Sequence, residues 1–151
     1  LGTHPYFRVP LGGGDAKACI AKIPAASRWE LSQLLPTGRK LPLGGAAAFN
    51  AGRPFAEIEA DDVFSDLTFE NGWFKASIAD PQTGLTSTVR MDDFFPECVV
   101  YTPPHREAIG IEPYSLVPNA AELLGQGIDS HLRILRPGEF FDARVEISAS
   151  A

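Results

Sequence analysis

The sequence predicts an all-β protein of antiparallel strands, and three observations carry that prediction. Apolar and polar residues alternate with a period of two over several segments, most clearly at 73–79, 85–91 and 140–148. Clusters of Gly, Pro, Asp and Asn punctuate these segments at short intervals. Helical signals are confined to two short stretches.

Taken in order, the first strand is predicted at 18–23, rich in small and β-branched residues and ended by Pro24. Ser27-Arg28-Trp29-Glu30 has capping-box spacing, and Leu31, Leu34 and Leu35 follow before Pro36. Propensity favours a short helix there, with extended structure as the open alternative. At 73–79, Phe74, Ala76 and Ile78 fall on one face and Lys75 and Ser77 on the other. Asp80-Pro81-Gln82-Thr83-Gly84 reads as a hairpin connection, and 85–91 as the returning strand. Further strands are predicted at 97–101, 108–112, 132–135 and 140–148. In the last of these Phe141, Ala143, Val145 and Ile147 alternate with charged or polar neighbours, which marks a half-buried strand. Asn119 and Glu122 again have capping-box spacing, with Leu123-Leu124 and then Gly125, so a helix of one or two turns is expected. The stretches 10–14 and 43–46 are glycine-rich loops, and neither has the strand–loop–helix context of a phosphate cradle.

A chain of 151 residues suffices for one domain with a substantial core. Its net charge of -6, with Arg and Lys scattered rather than striped, excludes a nucleic-acid backbone as the expected partner. No apolar run reaches the roughly 18 residues that cross a membrane. No signal-peptide pattern opens the chain, so a cytoplasmic location is expected. Cys19 and Cys98 belong to no metal or redox motif and read as buried thiols. His4, His105 and His131 lack ligand spacing, and no metal or cofactor is expected.

Two distant stretches carry chemistry. Thr3-His4-Pro5-Tyr6-Phe7 and Ile111-Glu112-Pro113-Tyr114 each set an ionisable residue directly before a proline, which biases that residue to extended backbone. An imidazole and a carboxylate so held can serve as acid and base on neighbouring oxygens of a sugar. A functional residue only four positions from a terminus would lie where chains fray. The sequence therefore reads as a part of a longer protein.

These motifs stand in a recognisable order. Gly2-Thr3-His4-Pro5-Tyr6-Phe7 is followed by Leu35-Pro36-Thr37-Gly38, by Asp61-Asp62-Val63-Phe64, by Thr102-Pro103-Pro104 leading to Ile111-Glu112-Pro113-Tyr114, and by Leu135-Arg136-Pro137-Gly138-Glu139. In this order they resemble the aldose 1-epimerase (galactose mutarotase-like) family, and specifically its C-terminal half, over essentially all of 1–151. The resemblance implies an antiparallel β-supersandwich whose concave face binds a free hexose, with no cofactor. It implies His4 as the acid on the ring oxygen, Glu112 as the base on the anomeric hydroxyl, and Asp61 as a hydrogen-bonding partner of sugar hydroxyls. Tyr6 and Phe64 are the aromatic candidates for packing against the sugar. The family pattern often has histidine where Asp62 stands, which leaves open whether Asp61 or Asp62 faces the substrate. An arginine and a second histidine of the family's pocket belong to a preceding half. Such a half of the same parent, or self-association, is therefore the expected protein partner. A hexose-phosphate mutarotase and a non-catalytic carbohydrate-binding module are the alternative functions.

Anomer interconversion opens the ring, rotates the C1–C2 bond and recloses. Free imidazole side chains titrate at about 6.5 and glutamate at about 4.3. Near neutrality a glutamate base is thus ready and part of the imidazole is protonated. Burial among Ala108, Ile109 and Ile111 would raise the glutamate value further.

Overall fold

The structure is a computed structural model that describes residues 1–44 and 49–151. The predicted loop at 43–46 therefore lies partly outside the described residues, at Gly45 and Ala46. Eleven strands and one α-helix are described: β1 (Tyr6–Arg8), β2 (Ile20–Lys22), β3 (Ala25–Ser32), β4 (Leu35–Pro42), β5 (Arg53–Pro54), β6 (Asp61–Leu67), β7 (Trp73–Ala79), β8 (Thr86–Asp92), β9 (Glu97–Tyr101), β10 (Ala108–Tyr114), α1 (Ala120–Gly125) and β11 (Val145–Ser150). They form two sheets, one of six strands in the order β1-β10-β9-β6-β3-β4 and one of five in the order β11-β8-β7-β2-β5. Each paired neighbour runs antiparallel, as the sequence predicts.

Period-two alternation decides which residues lie between the sheets. The six-stranded sheet contributes Phe7, Phe64, Cys98, Val100, Ile109 and Ile111, and the five-stranded sheet Ala21, Phe74, Ala76, Ile78, Val89 and Met91. Phe74, Ala76 and Ile78 all point inward, as their alternation predicts. Because Phe74 is fully buried, Phe74→Ala should lower unfolding free energy by about 3–5 kcal/mol in urea titrations. Both cysteines are buried free thiols, and burial pushes Cys98 up to about 12.

The differences from the predicted elements have physical causes. The stretch 27–35 is not helical: Ala25, Ser27 and Trp29 are buried at every second position along β3, and the strand pairs with β4 on one side and β6 on the other. The turn between β3 and β4 holds Gln33 and Leu34 at φ 51° and 65°, the paired left-handed geometry of a tight hairpin. No glycine announces it, so the sequence hides it. The expected strand at 132–135 has no ladder partner and is not a strand. The last strand begins at Val145 rather than 140, and Ile147 stays 56% exposed because β11 is the outer strand of its sheet. Phe141 packs instead against Phe94, with ring centroids 5.6 Å apart. The helix at Ala120–Gly125 forms as expected, although the Asn119 side chain makes no capping hydrogen bond.

A second, smaller apolar cluster lies on the other face of the six-stranded sheet. There Trp29 and Val63 pack against Val117, Ala120 and Leu123. Segment 115–131, including α1, thus covers one end of that face and leaves the other end open. No helix among the described residues is long and apolar enough to cross a membrane.

Candidate active site

The two X-Pro motifs meet because one is stapled to the other. Tyr6, Phe7 and Arg8 pair with Gly110, Ile109 and Ala108. Ahead of that ladder, the Ile111 amide donates to the Pro5 carbonyl and the Thr3 amide to the Pro113 carbonyl. Gly2 then forms a bridge with Tyr114. His4 is therefore carried alongside Glu112, and its Nδ1 lies 3.3 Å from Glu112 Oε1. The imidazole is 56% exposed and the carboxylate only 1%. Glu112 Oε1 has no geometrically sound hydrogen bond among the described residues, so this buried acceptor is free to take a proton.

Burial raises the Glu112 carboxyl above its ordinary range, opposed by the charge of His4 and a hydrogen bond from Tyr114, while Asp61 adds to the rise. A carboxylate whose pKa is raised is a stronger base. Tyr114 in turn is raised by burial and by Glu112.

The pair opens into a hollow of about 320 Å³, lined also by Tyr6, Asp61 and Tyr101 on its polar side. Leu31, Leu34, Val63, Val99 and Pro118 make its apolar side. Strand register explains the convergence. Gly110 and Asp61 both pair with Tyr101, and Tyr6 pairs with Gly110, so one row of four strands faces the hollow. Glu112 pairs with Val99, and Val99 with Val63, in the next row. Tyr6 stacks on His4 at 5.1 Å and meets Tyr101 edge-on at 6.4 Å. Of the two aspartates, alternation places Asp61 in the lining of the hollow, and Asp62 is ion-paired with Arg28. The hollow thus brings an imidazole, a buried carboxylate and a further carboxylate together.

The aldose 1-epimerase family model matches residues 1–148. The chain belongs to the aldose 1-epimerase family. A galactose mutarotase-like protein from Clostridium acetobutylicum has the same fold, with a TM-score of 0.85 at 22% identity. The match covers 99% of this chain and 46% of that one, so this chain spans less than half the length of that relative.

Among the residues expected to form an aldose 1-epimerase site, His4, Glu112, Asp61 and Tyr6 come together. Phe64 does not. It points between the sheets, 1% exposed, because it lies one residue out of phase with Val63 on β6. Its ring packs edge-on against Phe49 and is a core residue rather than a sugar platform. Tyr101, Gly110, Val63, Val99, Leu31 and Leu34 escaped sequence reasoning. Gly110 had a readable signal, standing two residues before Glu112 and therefore on the same strand face. Tyr101 and Leu34 had none, since their place depends on inter-strand register and an unannounced turn. His105 lies exposed in the turn before β10, where its Nδ1 accepts from the Glu107 amide.

Proposed function

We propose that this chain carries the acid–base pair of a mutarotase that interconverts the α and β anomers of a free hexose. The observation that carries the reading is the contact between exposed His4 and buried Glu112 at the edge of the hollow. Glu112 removes the proton of the anomeric hydroxyl, and protonated His4 gives one to the ring oxygen. The C1–ring-oxygen bond breaks as the C1 hydroxyl becomes a carbonyl. Rotation about C1–C2 presents the other carbonyl face, and the two proton transfers run in reverse on closure. Both reacting oxygens belong to one carbon, so the acid and base must lie side by side, as these do. Protonated imidazole carries N–H at both nitrogens, so the ring can face Glu112 through Nδ1 and still offer Nε2 to substrate. Asp61 is suited to accept from sugar hydroxyls, and the Tyr6 ring to pack on an apolar sugar face.

A neutral sugar is favoured over a phosphorylated one because no Lys or Arg is among the described residues lining the hollow. We propose further that 1–151 is the C-terminal half of a single family domain. Its length relative to the Clostridium protein supports this, as do the exposed Leu1, Tyr6 and Leu34 beside the hollow. The test is polarimetry on freshly dissolved α-glucose and α-galactose and their 6-phosphates, with the chain alone and joined to a preceding half. Faster decay of rotation for the free sugars supports the proposal. No acceleration in either form, or acceleration confined to the phosphates, rejects it.

A further inference from the structure

A second carboxylate–imidazole pair lies on the same sheet face, away from the hollow. Glu97 on β9 is fully buried, and its side chain collects three partners from three different elements. Trp29 Nε1 on β3 donates to Oε2 at 3.1 Å, and Ser65 Oγ on β6 donates to Oε1 at 3.1 Å. His131 Nδ1, from the covering segment, reaches Oε1 at 3.0 Å. His131 is held at φ 57°, a left-handed backbone uncommon for a side-chain-bearing residue. Its amide donates to Asp129 Oδ1 at 3.0 Å.

The covering segment is closed on itself around this point. Ser130 Oγ donates to the Ala120 carbonyl at 2.9 Å, the Ile128 amide to Leu123 at 2.9 Å, and the Val117 amide to Ser130 at 3.3 Å. Its apolar side rests on Trp29 and Val63, with Leu31 and Val99 at the margin. Val63, Leu31 and Val99 also line the sugar hollow, and Pro118 of the segment forms part of its wall. Register ties the two pairs together, since Glu97 is opposite Tyr114 and Val99 opposite Glu112 on adjacent strands. Glu97 has no exposure through which to touch substrate. Its chemistry is that of an anchor.

We propose that Glu97 and His131 are positioning residues for the sugar site, clamping segment 115–131 to the sheet so that Pro118 and Tyr114 keep the hollow in its binding shape. This rests on the mutarotase reading above for its substrate. Removing the clamp should loosen the wall and weaken ground-state binding while leaving the His4–Glu112 chemistry intact. The groups facing His131 are Glu97 from β9, Asp129 from its own segment, Lys40 from β4 and Asp66 from β6. The hydrogen bond to Glu97 raises the His131 pKa most, burial opposes it, the charges of Glu97 and Asp129 add to the rise, and Lys40 opposes them. The clamp's contribution is therefore full below about 6.5, the ordinary imidazole value, and fades as pH rises through the raised folded value.

The test compares wild type, His131→Leu and His131→Asn, whose amide can replace the Nδ1 donor. The expected result for His131→Leu is a KM for α-galactose raised about 10-fold with kcat within about 2-fold, and for His131→Asn a KM near wild type. The indole N–H resonance of Trp29 should shift in His131→Leu, and in wild type it should move in step with the titration of His131. A KM unchanged in His131→Leu overturns the proposal, as does a fall in kcat alone. If His131→Leu fails to fold, a wild-type Trp29 resonance that ignores the His131 titration overturns it equally. Absence of anomerisation in wild type, both alone and joined to a preceding half, rejects the mutarotase reading instead, and the resonance then decides the clamp by itself.

Discussion

Glu112→Gln should abolish most anomerisation while leaving sugar binding in place. The amide keeps the size of the carboxylate and can still hydrogen-bond, but it cannot take a proton from the anomeric hydroxyl. Loss of a positioned general base costs about 10²–10⁴-fold in kcat. The measurements are magnetisation exchange between anomeric protons for turnover and a sugar titration for affinity, in whichever form of the protein turns substrate over. A purely carbohydrate-binding module would show no turnover to lose, so the same pair of measurements separates the two classes.

The same substitution should stabilise the fold at neutral pH. Burial raises the folded Glu112 pKa above its unfolded value, so folding is favoured while the group is protonated. That stability is fully present below the ordinary carboxylate range and is lost as pH rises through the raised folded value. Glutamine carries no charge to bury, so Glu112→Gln should have the higher Tm at pH 7, and the difference should close on acidification. Equal Tm values at pH 7 would mean that the carboxylate is not held at a cost to stability, contrary to its burial.

Gly110→Ala should damage the site about as severely as the loss of a reacting group, without harming the strand. Gly110 lies on β10 with no left-handed φ, so its backbone suits alanine as well as glycine. A Cβ there would lie 2.8 Å from Glu112 Oε1 and 3.6 Å from Tyr101 Cβ. The second contact is ordinary, but the first forces the buried carboxylate to shift from its present position beside His4. A misplacement near 1 Å can cost about 10²-fold in rate, and kcat should fall by that order. Denaturant midpoints close to wild type together with this loss would locate the effect at the carboxylate. Full activity would show that Glu112 does not need its present position.

These effects bear on what the amino-acid order discloses by itself. The all-β class was legible because Phe74, Ala76 and Ile78 alternate through a strand buried on one face, where a period of two has a single reading. The His4–Glu112 pair was legible because each stands before a proline inside an ordered set of motifs. Phe64 was misread because aromatic character says nothing about phase, and a one-residue step from Val63 turns the ring from the hollow into the core. The hairpin at Gln33 and Leu34 was hidden because its left-handed turn uses residues that rarely adopt it. Tyr101 and the Glu97–His131 pair depend on register across β6, β9 and β10 and on the return of segment 115–131 over the sheet. Such long-range placement leaves no local periodicity to read.

The pH dependence of kcat/KM for anomerisation of α-galactose tests the central claim most directly. A Glu112 base and a His4 acid predict a bell, whose acid limb lies above the ordinary glutamate range because the Glu112 carboxyl is buried. A rate that stays flat from about pH 5 to about pH 9 would contradict the pair as acid and base.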